Sequence, residues 1–420
     1  MNARELALDL LGRWSKSRRL ADELLESALA ESALAGADRA FATELFYGSL
    51  RHKLSLEFLL ARLAEKPPRP LVADILKLGL YQLFFLKTPA HAAVNETVAL
   101  AKQRASVAET KFVNAILRRA ESDRDGLLAA LTATREAEPW VYYSHPEWLW
   151  KRWVAGHGRE RAAALCEWNN QPPSLYLRIN TLRASTPPSD IDVEPTNHPL
   201  CPRVMNASGL FQAPSFTNGA FYVQDPSTLI AVDVLDPQPG EAVLDMCAAP
   251  GGKTTYIAQK MRNRGRIIAA DSSSSRLALV GENCRRLGVT IVATLACEGT
   301  RLDRCLRGEQ FDRVLVDAPC SNTGVMRRRP DLRWRIEEQE IARLAELQLK
   351  LLGKAAEFVK PGGVLVYSTC SLEPEENERV IEQFRKSHLE FDVETTRSSF
   401  PPRDSIDGAF VARLRKTNAA

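Results

Sequence analysis

The stretch Val243-Leu244-Asp245-Met246-Cys247-Ala248-Ala249-Pro250-Gly251-Gly252-Lys253-Thr254-Thr255-Tyr256-Ile257-Ala258-Gln259 reads as a strand, a glycine turn and the start of a helix. Glycines at the turn let the backbone come close to a ligand, and the free amides of a helix N-terminus face the same place. Asp271 stands one strand later, 20 residues beyond Gly251, where an acid can accept hydrogen bonds from a ribose. Outward from this unit, apolar runs alternate with helical stretches from Pro239 to the end, the rhythm of a doubly wound, mostly parallel sheet. Candidate strands are 242–246, 266–270, 290–295, 313–316 and 363–368, with a long helix over 338–359 between the last two.

The residues that are missing narrow the cofactor. A P-loop needs glycine five positions before Gly252, and Cys247 stands there instead. A dinucleotide fingerprint, GxGxxG, is absent as well. S-adenosylmethionine remains, which carries adenosine without phosphate; the plainer alternative is a tight turn with no ligand. The residues expected around this cofactor are Cys247, Ala248, Ala249, Pro250, Gly251, Gly252, Lys253 and Asp271.

Upstream, the first 130 residues are rich in Leu, Ala, Glu and Arg at helical spacing, with Leu6, Leu10 and Trp14 on one apolar face. The cluster Lys66-Pro67-Pro68-Arg69-Pro70 cannot continue a helix, because proline lacks the amide donor and collides with the preceding turn, so it separates two helical groups. Five of the seven tryptophans (Trp140, Trp148, Trp150, Trp153, Trp168) fall in the connecting region. They read first as fasteners of one domain to the next, and secondarily as surfaces on which bases could stack. Ser174 to Asn180 alternates as a strand and opens a small α/β segment reaching to about residue 225. The expected organisation is an all-α segment over 1–135, a linker and small α/β segment over 136–235, and a Rossmann-like α/β domain over 236–420.

With 45% hydrophobic and 26% charged residues, the composition is that of a globular chain, neither disordered nor fibrous. Met1 to Leu20 is charged throughout and has no secretory core, and the most apolar window, Leu78 to Leu86, is too short to span a bilayer, so a cytoplasmic protein is expected. Eight cysteines without a CxxC pair or a His/Cys cluster argue against a zinc site and a disulfide framework. The net charge of +4 is too slight to name a partner. Within 320–335, however, Arg327, Arg328, Arg329, Arg333 and Arg335 face only Asp331, and such a run suggests phosphate contacts; the alternative is a solvated arginine face.

Two cysteines lie just past the ends of candidate strands: Asp317-Ala318-Pro319-Cys320-Ser321 and Ser368-Thr369-Cys370-Ser371. In a doubly wound sheet ligands bind beyond those ends, and neighbouring strands are about 4.8 Å apart, so two such thiols can face one substrate. That arrangement suits methylation at carbon 5 of a pyrimidine, a carbon too weakly nucleophilic to attack a methyl sulfonium unaided. A thiolate adds to carbon 6, carbon 5 becomes nucleophilic, and a base then removes the carbon 5 proton so that the thiol leaves. Asp317 is placed to hydrogen-bond the ring near N3. These residues alone do not say which cysteine attacks.

At these motifs the chain resembles the RNA 5-methylcytosine methyltransferases of the Fmu/Sun (RsmB) group, with a catalytic domain of NOL/NOP/Sun type. The resemblance runs over nearly the whole chain. It is carried by CAAPGGK at 247–253, DAPCSNTGVMRRRPDLRW at 317–334 and STCSLEPEENE at 368–378, with Arg178-Ile179-Asn180 and Gln224-Asp225-Pro226-Ser227 in support. The first segment resembles the NusB-like helical RNA-binding domain of that group, at Arg39-Ala40-Phe41, Tyr47-Gly48, His91 to Asn95 and Lys111 to Arg118. The resemblance implies a 16S rRNA substrate, reached before full assembly, with Cys370 as nucleophile and Cys320 assisting release. It further implies cofactor contacts from Asp317 and Glu298, RNA contacts from Arg178, Arg327, Arg328 and Arg329, and a monomer without metal or membrane attachment. Two departures stand out. Glu298-Gly299 replaces the usual Asp-Gly, moving the acid near the adenine amine by one methylene, and Asp407-Gly408-Ala409-Phe410 replaces Asp-Gly-Phe-Phe. A competing class is a non-catalytic RNA-binding assembly factor; a nucleotide hydrolase lacks the P-loop glycine.

Overall fold

Leucine and alanine at helical spacing turn the opening of the chain into a run of helices, from Ala3–Lys16 to Arg124–Ala137, in a computed structural model that describes residues 1–417. The first helix is closed by a capping box: the Asn2 side chain accepts from the Arg4 and Glu5 amides, and Glu5 returns a bond to the Asn2 amide. Leu6 and Leu10 enter the core, with Trp14 packed at its margin. The helix Lys53–Leu63 stops before the proline cluster, and Pro70 opens the helix Pro70–Phe84 at its first turn, where a missing amide loses no helical bond. Trp150 and Trp153 are buried, and Trp150 stacks on Tyr143 with ring centroids 5.5 Å apart. Those two indoles are core residues of the helical unit.

The chain forms two compact units: Met1–Pro172 with Met326–Ile336, and Pro173–Val325 with everything from Glu337 onward. The eleven residues 326–336 therefore belong to the helical unit, although in sequence they follow closely on Cys320.

In the second unit a seven-stranded sheet forms from β1 (Ala242–Met246), β2 (Arg266–Asp271), β3 (Val292–Ala296), β4 (Phe311–Asp317), β5 (Val359–Thr369), β6 (Phe391–Ser399) and β7 (Ala409–Lys416). Its order is 3-2-1-4-5-7-6, with the first five strands parallel and β7 and β6 antiparallel. Val243, Leu315, Val364 and Val366 enter one apolar cluster, while Leu244, Met246, Val314, Val316, Leu365 and Tyr367 enter the other. Alternation along each strand thus buries both faces, as a sheet with helices on both sides requires. The fold is the expected all-α region followed by a doubly wound α/β sheet.

Short strands Leu177–Ile179 and Phe221–Val223 pair ahead of this sheet, as do Val193–Glu194 and Arg203–Val204. Two features were not foreseen. The strands β6 and β7 carry alternating polar residues and pair antiparallel at one edge. Cys297 and Cys305 are joined in a disulfide, against the expectation of no disulfide framework. Glu298 and the 3-10 turn Gly299–Arg304 lie between them along the chain.

Candidate functional site

The sheet reverses its order between β1 and β4, and the loop Cys247–Gly251 leaves β1 at that reversal, where doubly wound sheets bind ligands. Gly251 has φ +101°, the left-handed conformation that glycine tolerates, and the helix α1 (Gly252–Lys260) starts immediately after it. A Cβ on Gly251 would lie 3.1 Å from the Val280 Cα. Asp271, at the end of β2, holds this loop by its backbone. Its carboxylate accepts from the Ala249 amide at 3.2 Å and the Ser273 amide at 3.0 Å. Asp245, Asp271 and Asp317 end three neighbouring strands. Burial, and then the charges of Asp317, Asp271 and Asp245, push the Cys247 thiol up to about 12, so it stays protonated. Against these acids stands Lys253, whose ammonium donates to Asp317 Oδ2 at 2.7 Å. Burial disfavours that ammonium, but Asp317, with Cys370 and Asp245 nearby, holds its pKa above the ordinary lysine value.

A predominantly acidic set of strand ends does not suit a phosphate. It suits hydroxyls and a cationic group, and S-adenosylmethionine presents both a ribose and positively charged sulfonium and ammonium groups. Glu298 is exposed and paired with Arg301 at 3.2 Å.

The two cysteines come together. Cys320 Sγ and Cys370 Sγ are 3.4 Å apart, one past the end of β4 and the other past β5, whose parallel pairing sets Asp317 opposite Ser368. Cys370 donates to Asn322 Oδ1 at 3.1 Å, and the Asn322 amide group donates to the Cys320 carbonyl at 2.7 Å. Cys320 is buried, whereas Cys370 is part-exposed. The bond to Cys370, then burial, then the charges of Cys370 and Glu376, raise the Cys320 pKa, so Cys320 keeps its proton. The Gly324 amide donates to the Cys370 carbonyl at 2.9 Å, and the Gly408 amide to the Gly324 carbonyl at 2.8 Å. Asn322 and Glu376 were not singled out in the sequence. Asn322, two residues past Cys320 and with φ +59°, carried only the weak signal of a residue type that tolerates a left-handed turn.

The arginines expected at RNA divide. Arg178 is fully buried; it donates to Thr255 Oγ1 at 2.8 Å and to the Gly252 carbonyl, and its guanidinium lies 5.1 Å from the Tyr256 ring centroid. Burial lowers its pKa to about 10. It braces the glycine turn and presents no face to a phosphate. Arg327 is also buried, with two bonds to the Pro172 carbonyl at 3.0 and 2.6 Å and its guanidinium 4.2 Å from the Trp168 ring centroid. Arg333 donates to the carbonyls of Ser144 and Asn169, each at 3.0 Å, and Arg335 to the Trp14 carbonyl at 2.6 Å. The arginine run is therefore largely internal to the helical unit, which corrects its reading as a phosphate patch. Arg329 is exposed, beside Asp22 at 3.2 Å, and Arg328 is part-exposed. Among the described residues no group of three or more His, Cys, Asp or Glu could hold a metal ion.

Comparison with known proteins gives concordant matches. The family described as 16S rRNA methyltransferase RsmB/F matches residues 232–415, the NusB family matches residues 1–122, and the RsmF/B-like ferredoxin-like domain matches residues 145–187. A Bacillus subtilis protein named "Probable ribosomal RNA small subunit methyltransferase B" is 35% identical over 99% of both chains. The ribosomal RNA small subunit methyltransferase B of Klebsiella pneumoniae is 36% identical over 90% of both chains. Among solved structures, PH0851 superposes with a TM-score of 0.80 and 26% identity over 99% of each chain.

Proposed function

The chain belongs to the ribosomal RNA small subunit methyltransferase B family, and on that premise we propose that it transfers a methyl group from S-adenosylmethionine to carbon 5 of a cytosine in 16S rRNA through a covalent Cys370 intermediate. The observation that carries the reading is the pair of thiols 3.4 Å apart at the ends of adjacent strands, next to the Lys253–Asp317 ion pair. One thiol would leave carbon 5 without activation or the adduct without relief.

S-adenosylmethionine, held at the turn 247–253 and by Asp271, supplies the methyl group. Cys370 adds as thiolate to carbon 6, forming the S–C6 bond and moving the C5=C6 electron pair toward carbon 5. Asp317 lies at the ring edge near N3 and stabilises the charge that develops there. After methyl transfer a base takes the carbon 5 proton, the C5–H electron pair re-forms the C5=C6 bond, and the S–C6 bond breaks with its pair returning to the Cys370 sulfur. Cys320, buried beside Cys370, assists this release. Glu298, two residues past β3, would be the acid toward the adenine. In this reading the enzyme works in the cytoplasm as a monomer, on small-subunit rRNA before assembly closes over the site. No helix among the described residues is long and apolar enough to cross a membrane.

The test uses labelled small-subunit rRNA, S-adenosylmethionine and a denaturing gel. Cys370→Ala should abolish methylation and form no adduct. Cys320→Ala should methylate and then stall, giving a slow protein–RNA band that is lost in the double variant. An adduct formed by Cys370→Ala would exchange the two roles, and no adduct from either variant would remove the covalent mechanism.

A further inference from the structure

Glu376 lies in the turn after Cys370, fully buried, and its carboxylate gathers four donors. Oε1 accepts from the Ser321 amide at 2.8 Å and from Gln348 Nε2 at 3.0 Å, while Oε2 accepts from the hydroxyls of both Ser321 and Ser371. Ser321 follows Cys320 and Ser371 follows Cys370, so one carboxylate is bonded to the residue next to each thiol. The two hydroxyls are themselves 3.0 Å apart. Gln348, on the helix Glu338–Glu357, also donates to the Pro319 carbonyl at 2.9 Å, on the other side of Cys320. The turn is fixed in its own right: Asn377 accepts from Thr369 at 2.6 Å and donates to the Ser371 carbonyl at 2.9 Å, and the Tyr367 hydroxyl donates to the Glu376 carbonyl.

Burying a carboxylate is costly unless its lone pairs are filled, and a carboxylate filled from two loops resists their separation. We propose that Glu376 is a positioning residue that clamps the Cys320 and Cys370 turns together through Ser321 and Ser371, setting the spacing of the thiols on which product release depends. It touches neither sulfur. Burial raises its own pKa against the four hydrogen bonds, and its charge is one of the influences that keep Cys320 protonated. Replacing it by glutamine keeps the shape but turns one acceptor oxygen into a donor aimed at groups that themselves donate.

The proposal rests on the covalent two-cysteine reading for its catalytic consequence, but the spacing can be measured without catalysis. Phenylarsine oxide binds two thiols held at about this distance, losing water as two As–S bonds form. Its affinity is measured for wild type and Glu376→Gln, each against its Cys320→Ala counterpart. The Cys320-dependent affinity should fall at least tenfold in Glu376→Gln. In the rRNA assay the same variant should lower kcat about tenfold, leave KM for rRNA in place and accumulate the adduct seen with Cys320→Ala. The double variant Ser321→Ala/Ser371→Ala, which removes the hydroxyls and keeps the carboxylate, should reproduce both effects. Unchanged arsenical affinity in Glu376→Gln overturns the clamp. So does a loss of adduct and turnover that merely follows a lowered melting temperature. If Cys320→Ala itself gives no adduct, the covalent reading fails while the arsenical comparison still decides the clamp.

Discussion

Asp245 is buried at the end of β1 with half of its carboxyl group satisfied. Thr254 Oγ1 donates to Oδ2 at 2.6 Å, and Oδ1 has no hydrogen-bond partner among the described residues. Burial raises its pKa to about 7, the Thr254 bond opposes the rise, and the charge of Asp317 adds to it. Because the folded-state value lies above the unfolded one, the folded protein binds this proton more tightly. The stabilisation is complete below about pH 4 and is lost as the pH rises through about 7. Asp245→Asn cannot ionise, so its melting temperature should fall less than that of wild type between pH 5 and pH 8 in a thermal melt series. Parallel curves would place the titration elsewhere. At the same scale, the candidate site residues legible in the sequence were those with distinctive chemistry at or just past strand ends, Cys320, Cys370 and Asp317, and at the helix start, Lys253. Asn322 and Glu376 were not, because their roles arise from what they meet across the fold and not from their neighbours in the chain.

Glycine pairs let elements approach more closely than side chains allow. Gly324, after the Cys320 turn, and Gly408, just before β7, meet at such a place: a Cβ on Gly324 would lie 2.7 Å from both the Cys370 carbonyl oxygen and the Gly408 Cα. Both obstacles are backbone atoms and cannot rotate away. Gly324→Ala should therefore cost about 1–3 kcal/mol of stability and slow turnover, since overpacking is relieved only by moving the loops apart. Gly156, with nothing within 4 Å of an added Cβ, is the control; Gly156→Ala should be neutral or stabilise by up to about 1 kcal/mol, because alanine suits a helix better. Chemical denaturation measures both. Equal effects at the two positions would mean that the Gly324 contact yields. The parallel strands β1 to β5 were readable because strands buried on both faces are apolar runs. The pair β6 and β7 was not, since Phe391–Ser399 carries Asp392, Glu394 and Arg397 on an edge strand, where a polar face needs no cover.

At the scale of the molecule, the charge of the segment 326–336 serves the helical unit before it can serve a ligand. Asp331 accepts from the Ala21 amide at 2.9 Å, and the charge of Arg333, fully buried, is solvated by carbonyl dipoles, with its pKa lowered by burial to about 9. Arg327→Ala should act through stability, losing about 1–3 kcal/mol as the Pro172 carbonyl loses its donors. Arg329→Ala should leave the melting temperature in place and reduce the salt dependence of RNA binding by up to about one counterion. Filter binding across a salt series, with a melt of each variant, separates the two. A reduced slope with unchanged stability in Arg327→Ala would return that residue to the RNA.

The sequence by itself determined the fold class, the glycine turn after β1 and the position of two cysteines just past strand ends, because periodicity, glycine at a βα turn and residues beyond strand ends are local patterns with local causes. Only the tertiary structure decided which charged residues are available to a ligand. Arg327 and Arg333 look alike as letters in a basic run, Arg178 stands alone in an apolar strand, and nothing along the chain says that carbonyls of Pro172, Asn169 and Gly252 wait for them. The distance between Cys320 and Cys370, and the carboxylate of Glu376 that joins their turns, are likewise products of sheet register. Parallel pairing of β4 with β5 brings together residues 50 apart in sequence, and such pairing is set by the packing of the whole sheet and not by either strand alone.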